Sequence, residues 1–154
     1  MKLYHLKRIQ FLPIAIEHAW EFFSSPNNLS KITPERMNFK ILYVSGGGTA
    51  YAGQIIKYKV NVLRGIRVNW ITEITHVNKP FHFIDNQRFG PYSFWHHQHM
   101  FKEVPGGVEL IDEVNYALPL GVLGRLAHWI FVRGEVNSIF DHRYNVLEKH
   151  FSIK

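Results

Sequence analysis

Two histidines in the segment from Gly90 to Phe101 are the residues of this chain best suited to chemistry. The segment reads GPYSFWHHQHMF. Because side chains alternate along a strand, His97 and His99 share one face with Trp95 and Phe101. An imidazole removed from water needs a hydrogen-bond partner or costs stability, so a plain hydrophobic core has little use for two of them. The pattern predicts one wall of a lined cavity.

The neighbouring predicted strands carry polar side chains with the same alternation. Asp85 shares a face with Phe83 and Gln87, and Asp112 shares a face with Tyr116 on the strand that follows. If these faces point inward, antiparallel pairing brings the polar groups together inside an aromatic wall, which is the usual anatomy of a small-molecule site. The predicted ligand-binding residues are Trp70, Phe83, Asp85, Gln87, Trp95, His97, His99, Asp112, Tyr116 and, from a helical stripe described below, Trp129.

Three interpretations of this polar group are open at this point. In the first, Asp85 and Asp112 accept hydrogen bonds from the imidazoles, and the network only fixes the strand register. In the second, the group anchors one oxygenated end of an otherwise apolar ligand. In the third, His97 or His99 acts with Asp112 as a general base. An imidazole with a pKa of about 6.5 can remove a proton beside a carbonyl during a cyclisation or dehydration.

A metal site is a weaker interpretation of the same residues. A His-x-His pair with a nearby carboxylate supplies three ligands to zinc and leaves one coordination position open. The chain contains 10 histidines, however, so the spacing of two of them carries little weight. We predict neither a metal nor another cofactor.

Hydrophobic periodicity predicts the elements that position these side chains. A strand and two short helices come first, at Leu3–Leu12, Ile16–Ser25 and Asn28–Lys31. Six further strands are predicted by β-branched and aromatic runs between turn residues: Phe39–Val44, Gln54–Leu63, Arg67–His76, Phe81–Phe89, Tyr92–Val104 and Val108–Leu118. The glycine run from Gly46 to Gly48 lacks the Lys-Ser/Thr pair of a phosphate loop, so we interpret it as a hairpin tip.

The period changes after Pro119 and stays helical to about Phe151, which predicts a helix of about 30 residues. Its apolar stripe is Val122, Leu126, Trp129, Val132, Val136, Ile139, Phe140, Arg143 and Leu147. A helix this long must bury its stripe, and the concave side of a curved sheet is the available partner. We therefore predict one α+β domain over residues 1–154. In it a seven-stranded curved antiparallel sheet wraps around the C-terminal helix, with the two short helices between strands 1 and 2.

Composition limits the possible functions. The chain has 154 residues and a mass of 18.1 kDa, which suits one domain. It has no cysteine, and this excludes thiolate nucleophiles and Cys-ligated zinc. The formal charge of +6 is scattered rather than gathered in runs, so nucleic acid is not an expected partner.

Targeting signals and membrane spans are not predicted. Charges interrupt every apolar run of the N-terminal MKLYHLKRIQF, and no segment approaches the length of a membrane span. We expect a cytoplasmic protein with at most transient membrane contact. Such contact requires that Leu120, Val122 and Leu123 be exposed beside the cavity mouth. The oligomeric state is left open.

Several spaced motifs resemble those of one superfamily. They are Gly53-x-x-Ile56-x-Tyr58, Trp70-x-x-x-Ile74, Phe83-x-Asp85-x-Gln87-x-x-Gly90-Pro91, Trp95-x-His97-x-His99-x-Phe101 and Asp112-x-Val114-x-Tyr116-x-Leu118-Pro119. With the predicted order of elements, they resemble the SRPBCC superfamily, the START and Bet v 1 type with the helix-grip fold. The resemblance is to its small bacterial polyketide cyclase-like or CoxG-like branch.

This resemblance implies a deep, largely apolar cavity between sheet and helix, although a fold alone does not name its guest. The expected function is the binding of a hydrophobic or amphipathic small molecule, such as a lipid or a polyketide, by a carrier or sensor. The alternative is a polyketide cyclase-like or dehydratase-like enzyme. In that case His97, His99 and Asp112 are the expected acid–base residues.

Overall fold

The computed structural model describes residues 1–62 and 65–152. The strands are β1 Tyr4–Leu12, β2 Lys40–Val44, β3 Gln54–Val62, β4 Ile66–Asn78, β5 His82–Phe89, β6 Phe94–Val104 and β7 Gly107–Ala117. They form one seven-stranded sheet in the order β1-β7-β6-β5-β4-β3-β2, and each neighbouring pair is antiparallel. The predicted seven-stranded antiparallel sheet is confirmed.

The helices lie in two parts of the chain. Between β1 and β2 are α1, Ile16–Phe23, and two short 3₁₀ segments, Pro26–Ile32 and Glu35–Met37. After β7 the chain is helical through α2, Gly121–Ala127, a π-helical turn, His128–Val132, and α3, Arg133–Phe151. The predicted long C-terminal helix and the short helices before β2 are confirmed. In the described part of the chain, no helix is both long and apolar enough to cross a membrane.

The side chain of Gln87 explains why β6 begins later than predicted. Its Nε2 donates to the Tyr92 carbonyl at 2.7 Å, and its Oε1 accepts from the Tyr92 amide at 3.2 Å. These bonds engage backbone groups that strand pairing would otherwise use, so β6 begins at Phe94. The predicted strand Gln54–Leu63 is found as β3 up to Val62, and Leu63 lies outside the described residues.

The core lies between the concave face of the sheet and α3, and α1 closes one end. Trp20 of α1 is 1% exposed and meets the ring of Phe83 edge-on. Toward the other end, Val136 and Phe140 of α3 pack with Val114 of β7. The sheet, α1 and α3 therefore enclose a shared interior.

The predicted apolar stripe of the long helix is buried only in its C-terminal part. Val132, Val136 and Leu147 are buried, whereas Leu126 and Trp129 are exposed. A π-helical turn inserts an extra residue into the helix and so rotates the face that precedes it. The prediction assumed one helical period throughout, and its placement of Trp129 inside the cavity is wrong. The helix turns His128 inward instead.

Candidate functional site

A cavity of about 260 Å³ lies between the concave face of the sheet and α3. Its wall is mainly aliphatic and aromatic. The predicted ligand-binding residues that line it are Trp70, Phe83, Asp85, Trp95, His97 and His99. Other lining residues include Phe23, Met37, Gln54, Ile56, Tyr58, Val60, Ile139, Phe140 and Arg143.

The register of three strands brings four polar side chains together at this wall. Asp85 of β5 lies opposite His97 of β6, and His99 of β6 lies opposite Asp112 of β7. His97, His99 and Asp112 are buried, and Asp85 is partly buried. We call these four residues, with Arg143 of α3, the polar cluster.

Each imidazole of the polar cluster lies between the two carboxylates. His99 has Nε2 at 2.8 Å from Asp85 Oδ2 and Nδ1 at 3.1 Å from Asp112 Oδ1. His97 has Nε2 at 3.0 Å from Asp112 Oδ1 and Nδ1 at 3.4 Å from Asp85 Oδ2. All four ring nitrogens therefore face a carboxylate oxygen, and none is directed at the cavity alone.

Arg143 contributes a positively charged guanidinium to the polar cluster. Its Nη2 lies 3.4 Å from Asp112 Oδ1, and its guanidinium carbon lies 5.4 Å from the centre of the Phe23 ring. The side chain is almost fully buried. Sequence reasoning placed Arg143 on the buried stripe of the helix but gave it no role. The missed signal was a charged residue at a position whose periodicity predicts burial.

The pKa values of the two imidazoles are shifted in opposite directions. Burial lowers the pKa of His97, and the nearby His99 lowers it further. Burial acts in the same direction on His99, but hydrogen bonds to Asp112 and Asp85 outweigh it and raise the pKa of His99. Burial would raise the pKa of Asp112, yet Arg143 and the two imidazoles hold it well below its usual value. With His99 protonated and His97 neutral, the charges of the cluster sum to zero.

Comparisons with known proteins bear on the fold. No family model matches the chain, and no curated protein matches it. Protein CV1439 from Chromobacterium violaceum superposes with a TM-score of 0.74 at 12% identity, covering 97% of this chain and 99% of that one. Ginseng major latex-like protein 151 from Panax ginseng superposes with a TM-score of 0.67 at 9% identity, covering 98% and 99%. The chain has the helix-grip fold.

A third solved structure extends this likeness. The di-domain ARO/CYC BexL from the BE-7585A biosynthetic pathway has a TM-score of 0.74 at 12% identity, covering 99% of this chain and 51% of that one. These likenesses confirm the predicted helix-grip fold. Identities this low say nothing about the guest or activity of this helix-grip protein.

Four predicted site residues do not line the cavity of the helix-grip protein. The side-chain amide of Gln87 is hydrogen-bonded to the backbone of Tyr92. Tyr116 is buried and shares a hydrogen bond of 2.9 Å with His128 Nε2. Asp112 lies behind the imidazoles, and Trp129 is 78% exposed on the outer surface. The first three residues instead bond to neighbouring groups of the protein. The sequence prediction placed them in the cavity because strand alternation determines the face of a side chain but not its depth.

Three donor groups of the polar cluster have a spacing that suits a divalent cation. Asp85, His97 and His99 each offer one ligand atom, and these three atoms lie within 4.8 Å of one another. These side chains already bond within the cluster, His97 to Asp112 and His99 to Asp85, and the guanidinium of Arg143 lies 3.4 Å from Asp112 Oδ1. A cation would have to compete with these contacts and lie near a second positive charge.

The stability of the protein should fall as the pH rises above the ordinary imidazole value of 6.5. The proton on His99 stabilises the folded state fully below pH 6.5, and this contribution is lost as the pH passes through the raised pKa of His99. Urea unfolding at a series of pH values measures the effect. The variant His99→Gln should lack this decline, and His5→Gln, at an exposed histidine, should retain it. A wild-type stability that does not change above pH 6.5 would contradict the assignment.

Proposed function

We propose that this helix-grip protein binds a hydrophobic or amphipathic small molecule, as a carrier or sensor, in the cavity between the sheet and α3. The supporting observation is an apolar wall that presents one buried polar cluster to the same space. Apolar cavities with a few convergent polar groups are typical small-molecule sites. The volume of about 260 Å³ lies just below the usual range of about 300–1,000 Å³. A guest of medium size therefore fits better than a full-length lipid.

The arrangement of the imidazoles favours binding over the cyclase or dehydratase alternative. A general base needs a nitrogen within about 2.6–3.2 Å of the group that loses the proton. Both nitrogens of His97 and both nitrogens of His99 already face carboxylates. Catalysis by either residue would therefore require the cluster to open.

Native mass spectrometry of the purified protein tests the proposal. We expect part of the protein to carry the added mass of one small apolar molecule, which denaturation then releases for identification. Protein freed of that molecule should bind anilinonaphthalene sulfonate with increased fluorescence. A bare protein mass together with no binding of the dye would contradict the proposal. Chemical conversion of the released molecule by fresh protein would favour the enzyme alternative.

A patch of apolar side chains beside the cavity offers a route for the guest to enter. We define the α2 patch as Leu120, Val122, Leu123, Leu126, Trp129 and Ile130, which are between 51% and 78% exposed. Leu118 and Val132 flank this stretch of chain, and both line the cavity. Exposed apolar patches mark interaction sites. We propose that the α2 patch contacts a membrane surface during loading.

The charge of the neighbouring residues supports an anionic lipid surface as the partner of the α2 patch. Arg125 lies within the patch, and residues 114–134 contain no Asp or Glu. Below the patch, burial lowers the pKa of His128, and the positive charges of Arg133 and Lys2 lower it further. Basic residues beside an exposed Trp and several Leu residues are typical of segments that lie in the membrane interface.

Removing two side chains of the α2 patch should weaken vesicle binding at least about tenfold, because each buried Leu or Trp contributes on the order of 1.5–3 kcal/mol. The variant is Leu123→Ser with Trp129→Ser, and cosedimentation with phosphatidylglycerol vesicles is the measurement. A matched control is Ile9→Ser with Phe11→Ser, two exposed positions of β1. Equal binding to pure phosphatidylcholine vesicles would contradict the role of charge. If the wild-type protein self-associates and the patch variant does not, the partner of the α2 patch is a second copy of the protein and not a membrane.

A further inference from the structure

Asp85 is the member of the polar cluster that keeps the most accessible surface. Its side chain is 16% exposed, whereas the side chains of the other four members are between 5% and 10% exposed. Asp85 lines the cavity, and its neighbours on the same face of the sheet, Phe83 and His97, are buried. Because side chains on one face of a sheet point in the same direction, the exposed part of Asp85 opens into the cavity.

The two carboxylate oxygens of Asp85 have different surroundings. Oδ2 accepts from His99 Nε2 at 2.8 Å and lies 3.4 Å from His97 Nδ1. Oδ1 has no side-chain partner within the described residues. The polar side-chain atoms of those residues that are both unpaired and fully buried are Ser24 Oγ, Gln54 Oε1, Trp70 Nε1 and Arg143 Nε. Since Asp85 Oδ1 is not one of them, it keeps accessible surface and is an open acceptor on the cavity wall.

This open oxygen belongs to an ionised group. Burial would raise the pKa of Asp85, but the nearby His97 and the hydrogen bond from His99 outweigh it and hold the pKa below its usual value. An ionised carboxylate can accept hydrogen bonds but cannot donate one. The group of a guest that lies beside Asp85 must therefore be a donor. Such a bond is of the stronger kind, because its acceptor is charged.

The charges around the cavity favour a neutral donor over a charged group. Among the described residues, Arg143 is the one Lys or Arg that lines the cavity, and its Nη2 already lies 3.4 Å from Asp112 Oδ1. A guest ammonium would add a positive charge near Arg143, and a guest carboxylate would place a like charge beside Asp85. Either charge would also lose its water on entering an apolar cavity. A hydroxyl avoids all of these costs.

We infer that the guest is a neutral alcohol or phenol whose hydroxyl donates to Asp85 Oδ1, and not a ketone, an ether or a fatty-acid carboxylate. This inference rests on the proposed binding function and names the class of its guest. The wall around Asp85 is apolar. Ile74 lies opposite Asp85 in the register of β4 and β5, and it lines the cavity together with Phe83 and Ile56. The body of the guest is therefore hydrocarbon.

Isothermal titration calorimetry with 1-nonanol and 1-methoxyoctane tests the inference. The two probes are isomers, and only the alcohol has a hydrogen-bond donor. An ether beside Asp85 removes water from the carboxylate and gives no hydrogen bond in return. We therefore expect nonanol to bind at least about fivefold more tightly than its isomer. This comparison uses the wild-type protein, so it does not depend on the folding of any variant.

Two matched variants assign the preference to Asp85. Asp85→Asn keeps the size of the side chain, but its amide can donate to an ether oxygen as well as accept from a hydroxyl. This variant should bind the two isomers with affinities within about twofold of each other. Glu135 also carries a carboxylate and lines the cavity, but it pairs with Arg36. The control variant Glu135→Gln should retain the preference for nonanol.

A third probe, nonylamine in its protonated form, separates a neutral donor from a charged one. We expect it to bind more weakly than nonanol, and tighter binding would overturn the inference. Equal affinities of the wild-type protein for the two isomers would also overturn it. So would failure of all three probes to bind beside normal binding of anilinonaphthalene sulfonate, and the proposed function would then still stand. If the dye does not bind either, the proposed function is wrong as well.

Discussion

Replacing Arg143 with Met should lower the free energy of unfolding by about 3–5 kcal/mol, the usual cost of breaking a buried ion pair on one side. The change leaves the buried carboxylate of Asp112 without its guanidinium partner, 3.4 Å away in the wild type, and gives the polar cluster a net negative charge. His97 can restore the balance by binding a proton. The loss should therefore be largest above the ordinary imidazole pKa of 6.5 and smaller below it.

Two control variants separate the buried charge from the loss of any arginine. Arg8 of β1 also contacts a carboxylate of α3, that of Asp141 at 3.2 Å, but this pair is partly exposed. Arg8→Met should cost no more than about 1 kcal/mol. Adding Asp112→Asn to Arg143→Met removes both charges and should recover part of the stability. Urea unfolding of the variants at two pH values gives these quantities. Equal losses for Arg143→Met and Arg8→Met would show that the cluster does not depend on Arg143.

The period of two along the strands explains how the polar cluster could be predicted from the sequence. Alternation alone placed Asp85, His97, His99 and Asp112 on one face of three consecutive strands, and the antiparallel register then brought them together. Short connections left few alternatives for that register. The same pattern could not show that Asp112 lies behind the imidazoles, because depth depends on the curvature of the whole sheet.

The C-terminal helix shows where a periodic pattern stops being reliable. The helical period correctly predicted a buried face from Val132 to Leu147. It failed for Trp129 because a π-helical turn changes the number of residues per turn, and no residue type marks that change in the sequence. Helical periodicity also does not show whether α2 packs against the sheet. The first residues of the predicted buried stripe are therefore exposed.

The buried polar atoms that lack a partner among the described residues were beyond sequence reasoning for a different reason. Gln54 and Ser24 are ordinary residues at the ends of a strand and a helix. Only the contacts of the folded chain show that their side-chain oxygen atoms have no partner among the described residues.

Replacing Ile139 with Trp should weaken the binding of anilinonaphthalene sulfonate at least about tenfold. Ile139 lies on α3, lines the cavity and is only partly buried by other side chains, so a larger side chain extends into the open space. Because the cavity measures only about 260 Å³, an indole occupies much of the room that a guest needs. Overpacking typically costs about 1–3 kcal/mol, so we expect the variant to stay folded. Fluorescence titration measures the binding, and circular dichroism checks the fold.

Two matched variants locate the bound dye. Ile9→Trp makes the same change at an exposed position of β1 and should leave the affinity unchanged. Exposed apolar surface can also bind the dye, and the pair Leu123→Ser with Trp129→Ser removes two exposed apolar side chains of the α2 patch. This pair should also bind the dye normally. If it loses the dye and Ile139→Trp does not, the dye lies on the outer surface of the helix, and the proposed role of the cavity is wrong.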